Sequence, residues 1–287
     1  MTSLTVTRLD VCPLLDTPTL RASVDEFLAL ADDVTWNRYT SCDWHAAEVE
    51  RLTPSQRSAV DFITAIEDHL PNYFAEYSRG FPISEDADVP SAAHNRLLYH
   101  FTVRWAQEED RHAHALAEYQ VRTGLATRDD VERRLAIEGR KRFQPPVHDA
   151  LGLFTYTLIQ EKATQLYYQQ LANAVAEPVL RKLLRCLARD EARHFAFFSN
   201  VIGGYLARFG AACLSTIEAT VREFKMPLHN TLDRYWRRAL EMRAAAGGYD
   251  HLEAFDSLLR VVDRFADAAT RSKTHDLRRF VEAIRAH

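Results

Sequence analysis

"ARDEARHFAFF", residues 188–198, sets Glu191 and His194 on a helix face that is otherwise apolar. With a helical repeat, Leu184, Leu187, Ala188, Phe195 and Phe198 share that face at offsets of three, four or seven residues. An ionised glutamate there needs compensation. A second stretch, "VRWAQEEDRHAHAL" at 103–116, repeats the arrangement, with Glu109 and His112 three apart and Trp105 and Leu116 on the same side. Both copies read acid, Glu, any residue, Arg, His, as Glu108–His112 and Asp190–His194.

One Glu-x-x-His is weak evidence, because nineteen glutamates and twelve histidines in 287 residues produce about one such match by chance. Two further acids strengthen it. Glu67 lies on an apolar helix face with Ile63, Leu70 and Phe74, and Glu161 lies with Leu158, Thr164 and Tyr168. The order Glu67, Glu109 with His112, Glu161, Glu191 with His194 is the ligand pattern of ferritin-like di-iron and di-manganese carboxylate proteins. Four buried carboxylates repel one another unless cations neutralise them, and two divalent ions match their charge. Oxygen-rich donors with some imidazole suit iron or manganese, and iron is the expectation, with manganese or a mixed pair left open. The repeated neighbours suit a supporting role. Asp190 and Glu108 are placed to accept the remaining ring N–H of a histidine on the opposite helix, and Arg111 and Arg193 to hold those acids.

The rest of the chain fits an all-α, ferritin-like four-helix bundle with additional flanking helices. Nine glycines and ten prolines leave few turns, and apolar residues recur at three- and four-residue spacing. Caps at Thr53 and Thr127 and the break at Pro145 and Pro146 place the main helices at about 54–79, 90–123, 148–174 and 177–208. A single ferritin-like di-iron domain over 1–287 is expected, with its core at about 54–208, flanking helices at 20–52 and 209–268, and a charged, loosely held tail at 269–287. Pro71 removes the hydrogen bond to the Glu67 carbonyl, which predicts a kink in the first helix. A net charge of −4 offers no general attraction for nucleic acid. Cys12, Cys42, Cys186 and Cys213 form no C-x-x-C pair, and the N-terminal "MTSLTVTRLDVCPLLD" shows no leader or membrane span, so a cytoplasmic protein is expected.

The combined motifs resemble the soluble acyl-acyl-carrier-protein desaturases of the stearoyl type. "EDHLPNY" at 67–73 is similar to that family's E-E-x-L-P-x-Y, "WAQEEDRH" to W-x-x-E-E-N-R-H, "IQEKAT" to F-Q-E-R-A-T, "DEARH" to D-E-x-R-H, and "FKMPLH" to a Met-Pro-x-His segment. The resemblance covers roughly 20–265. It implies that Glu67, Glu109, His112, Glu161, Glu191 and His194 bind two irons, and that Thr164 assists dioxygen activation. It also implies an acyl chain on acyl carrier protein as substrate, dioxygen as oxidant, a ferredoxin-type electron donor and a homodimer. Departures are Asp68, Asp110 and Lys162, none of which removes a ligand.

Other readings share parts of the pattern. A storage ferritin needs fewer flanking helices, rubrerythrin-like carriers need paired cysteines, and the ribonucleotide reductase small subunit needs a tyrosine where this chain has Leu116. A di-iron hydroxylase or N-oxygenase acting on another carrier-bound or small substrate is the serious alternative, since both reactions diverge from one hydrogen abstraction. His69 and His114 read as structural or surface groups, the aromatics Trp105, Tyr168, Phe195 and Phe198 as core, and Trp44 as weakly similar to a family tryptophan that relays electrons. Of two basic clusters, Arg133–Arg142 is the better candidate for carrier docking than Arg181–Arg189.

Overall fold

The computed structural model describes residues 13–285. Cys12, most of the N-terminal stretch and the last two residues lie outside them. Twelve α-helices and no β-strand occur among the described residues: α1 (Thr17–Asp33), α2 (Pro54–Glu67), α3 (Leu70–Gly80), α4 (Val89–Arg122), α5 (Arg128–Gly139), α6 (Ala150–Ala174), α7 (Pro178–Phe209), α8 (Leu214–Glu223), α9 (Tyr235–Ala245), α10 (Glu253–Phe265), α11 (Ala268–Arg271) and α12 (His275–Arg285).

The long helices begin where short polar side chains satisfy free N–H groups. Thr53 forms a reciprocal capping box with Gln56, Thr127 accepts from the Asp130 N–H, and Asp149, rather than His148, accepts from the Gly152 N–H to open α6. The first bundle helix is broken, not merely kinked. α2 stops at Glu67, and α3 restarts at Leu70 with Pro71 in its first turn, where a missing N–H costs nothing. His69 fills the break: it is fully buried, with Nδ1 3.2 Å from the Ala65 carbonyl and Nε2 3.2 Å from the Lys141 carbonyl.

α2 with α3, α4, α6 and α7 form the bundle, α6 and α7 packing along much of their length. Gly203 on α7 admits the ring of Phe265 from α10, which would meet a Cβ at 2.7 Å. Along the bundle the interior changes character twice. One apolar cluster holds Phe101, Trp105, Leu158, Phe197 and Phe198, and another holds Leu116, Tyr168, Leu171, Leu184 and Leu187. Between them lies a buried polar layer: Glu67, Glu108, Glu109, His112, Glu161, Asp190, Glu191 and His194.

The flanks differ from expectation. Residues 34–53 carry only two short 3₁₀ turns, Trp44–Ala46 and Val49–Arg51. The tail is not loose, because α12 buries Leu277 and Val281 in the first cluster and packs on α10. No helix among the described residues is long and apolar enough to cross a membrane.

Candidate metal centre

The four bundle helices bring the six expected donors into one layer. Ligand atoms of Glu67, Glu109, His112 and Glu191 lie within 4.8 Å of one another, and so do those of Glu109, Glu161, Glu191 and His194. Glu109 and Glu191 belong to both groups, so each occupies the middle of the layer. Glu67 with His112, and Glu161 with His194, occupy its two sides.

Around the donors, the paired motifs cross between helices. His112 Nε2 on α4 lies 3.1 Å from Asp190 Oδ2 on α7, and His194 Nε2 on α7 lies 3.0 Å from Glu108 Oε2 on α4. This leaves Nδ1 of both rings turned toward the carboxylates. Arg193 donates to Asp190 Oδ1 at 2.6 Å and to Glu108 Oε1 at 2.9 Å, and Arg111 donates to Asp190 Oδ2 at 2.8 Å. These buried ion pairs hold the Asp190 and Glu108 carboxyls below the usual range, His112 and His194 more than offsetting burial.

The inner carboxylates divide. Burial pushes Glu67 up to about 8, with Glu109 and Glu191 adding repulsion and His112 opposing it. Burial also drives Glu161 well up, reinforced by Glu191. Glu109 and Glu191 stay below the usual range because the two histidines outweigh their burial. Both imidazoles are held well above theirs by the surrounding carboxylates despite burial.

The donor set fits a pair of divalent ions. His112 Nδ1 lies 3.5–3.7 Å from oxygens of Glu67, Glu109 and Glu191 and has no hydrogen-bond partner; Glu161 Oε1 has none either. Atoms buried this way without a partner cost about 1–3 kcal/mol each, a cost that coordination would remove. A cavity of about 40 Å³ touches Glu67, Glu109, Glu161 and Glu191, and Thr164 is among its walls with Leu70, Trp105 and Met226.

Two neighbours escaped the sequence reading. Trp36, in the irregular stretch after α1, donates its indole N–H to Asp190 Oδ2 at 2.6 Å. Its ring stacks on His112 at 11° and receives the Arg111 guanidinium 4.9 Å from its centroid. Trp44 does not hold that place: it sits in the second apolar cluster under Arg122. Tyr168, read as plain core, donates its hydroxyl to Glu67. A signal for Tyr168 existed, since it shares a helix face with Glu161; Trp36 had none, lying in a segment without periodicity.

Residues 41–282 match a family profile described as fatty acid desaturase. The acyl-acyl-carrier-protein desaturase DesA2 of Mycobacterium tuberculosis is 28% identical over 164 residues, 49% of this chain and 58% of the relative. DesA1 of the same organism is 22% identical over 234 residues, 78% of this chain and 65% of the relative. The chloroplastic stearoyl-acyl-carrier-protein 9-desaturase 6 of Arabidopsis thaliana is 26% identical over 178 residues, 60% of this chain and 44% of the relative. The aligned stretches thus span less than two thirds of these relatives. The X-ray structure of DesA2 superposes with a TM-score of 0.58 at 19% identity, covering 88% of this chain and 99% of that one, which shows a shared fold.

Proposed function

The chain belongs to the fatty acid desaturase family, and from that premise we propose that it introduces a double bond into an acyl chain carried on acyl carrier protein, using dioxygen and external electrons. The observation that carries this reading is the closed set of six donors around two overlapping groups that share Glu109 and Glu191. Glu67, Glu109, His112, Glu161, Glu191 and His194 would hold two irons, manganese or a mixed pair also fitting these donors. Bound there, a reduced pair supplies the dioxygen reduction that an unactivated methylene C–H demands.

The chain's own residues supply the setting. Leu70, Trp105 and Met226 give the cavity apolar walls, against which substrate methylenes would lie beside the carboxylates once the cavity widens around them. Thr164 places a hydroxyl on the same cavity, where it would hold a proton for dioxygen chemistry. Asp190 and Glu108 fix the tautomer and tilt of His112 and His194. The sequence holds no flavin or nicotinamide fingerprint, so a ferredoxin-type donor is part of the proposal, with Trp36, Asp190 and His112 as its route inward. The homodimer implied by the resemblance belongs to the same proposal.

The test is anaerobic loading with ferrous iron, then dioxygen, reduced ferredoxin and a panel of acyl-acyl carrier proteins, read by mass spectrometry. Loss of two hydrogens is expected. Gain of one oxygen would select the hydroxylase alternative, and a loaded protein that alters no carrier-bound chain would overturn the substrate class.

A further inference from the structure

The segment from Lys225 through α9 has two sides. Met226, Pro227 and Tyr235 line the cavity beside Glu67 and Glu161. Their chain neighbours Lys225, Arg234, Trp236 and Arg237 face solvent. Trp236 and Leu240, each 67% exposed, stand one turn apart on α9, and Arg243 follows on the same side. A tryptophan so exposed beside an exposed leucine is poor surface chemistry and good interface chemistry.

The end of α5 adds charge to this face. Lys141 donates to Asp233 at 2.7 Å and Arg238 to Glu138 at 2.8 Å, which brings the exposed Arg140 and Arg142 beside α9. Its acids are already engaged, Asp233 by Lys141 at 2.7 Å and Glu241 by Arg237 at 3.5 Å. Arg140, Arg142, Arg234 and Arg243 therefore give a local positive surplus on a chain whose net charge is −4. A second copy would be a poor occupant, because a twofold contact would set these arginines against their own counterparts.

Resting on the reading that the substrate is carrier-bound, we infer that α9 and the adjoining end of α5 form the docking face for an acidic acyl carrier protein. Trp236 and Leu240 seat its apolar contact and the arginines pair with its carboxylates. The placement is economical in distance: the same segment forms the outer contact and an inner wall of the cavity, so a tethered acyl chain passes directly from one to the other.

The test uses the full, iron-loaded chain and a bacterial acyl carrier protein carrying palmitate. Trp236→Ala is expected to weaken carrier binding about thirtyfold. Arg234→Glu with Arg243→Glu is expected to raise Kd and KM at least about tenfold and to flatten their salt dependence, with kcat at saturation unchanged. Lys182→Glu with Arg185→Glu, on the exposed side of α7, should change neither, and thermal melts check that each variant folds. Three outcomes would overturn the docking face. The α9 variants bind the carrier like wild type; they lose only sedimentation with phosphatidylcholine–phosphatidylglycerol vesicles, which marks a lipid contact; or they only dissociate a dimer. A wild-type protein that neither binds nor oxidises the carrier substrate refutes the functional reading itself, whereas wild-type oxidation with unaltered variants refutes the docking face alone.

Discussion

Glu191→Ala is expected to reduce acyl oxidation below about a thousandth of wild type and to leave the protein unable to hold either ion. The reason is its position: Glu191 belongs to both donor groups, so removing it weakens both sides at once. Glu67→Ala strips only the group that contains His112, and the group of Glu161 and His194 keeps all four of its donors. One ion per chain should then survive. Saturating one tight site raises stability by about 4 kcal/mol at a thousandfold excess over Kd, which for a domain of this size is roughly 10 °C in Tm, and a pair of such sites raises it by about twice that. Wild type should show that rise, Glu67→Ala a smaller one and Glu191→Ala none, with metal content by plasma emission as the parallel reading. A Glu191→Ala protein that retained two ions would remove the residue from the centre.

The second large effect is on pH. Without ions, burial raises Glu67 to about 8 and Glu161 in the same direction, and the carboxylates raise His112 and His194 despite burial, so the ion-free layer favours its protonated forms. Loading divalent ions should therefore expel protons from this layer, so that metal affinity rises with pH near neutrality. The stability consequence has a definite sign. A carboxyl raised from 4.5 to about 8 is worth most to the ion-free fold below pH 4.5, and its contribution is lost as pH climbs between those values. The raised histidines lose theirs from 6.5 upward. Glu108 and Asp190, held low, work in the opposite sense and weaken the fold only as pH falls. The ion-free protein should thus melt progressively earlier from about pH 6 to 8 while the loaded protein holds steady. Metal titration in weak buffer with a pH indicator reads the protons; loading that released none would contradict this charge balance.

What could be read from residues alone follows from periodicity. A bundle interior must be apolar, so Glu67, Glu109, Glu161 and Glu191 announce themselves as acids at helical spacing among leucines and aromatics. The crossed partners Asp190 and Glu108 were legible for the same reason, the repeat being visible in both motifs. Pro71 signalled a disturbance, yet its size depended on His69, whose ring closes the break by reaching the carbonyl of a distant residue, Lys141. Trp36 reaches Asp190 across 154 residues of chain from an aperiodic loop, and nothing local distinguishes it from Trp44. Charge hides the tail: α12 carries arginines outward, while Leu277 and Val281, with Phe280 and Ile284 packed beside them, form an apolar stripe at helical spacing that composition does not reveal.

Anomalous diffraction at the iron edge from crystals loaded with ferrous salt under argon tests the metal centre most directly. Two peaks are expected in the buried polar layer, one among Glu67, Glu109, His112 and Glu191, the other among Glu109, Glu161, Glu191 and His194. A single peak, peaks on the surface, or these six side chains turned away from the ions would contradict it.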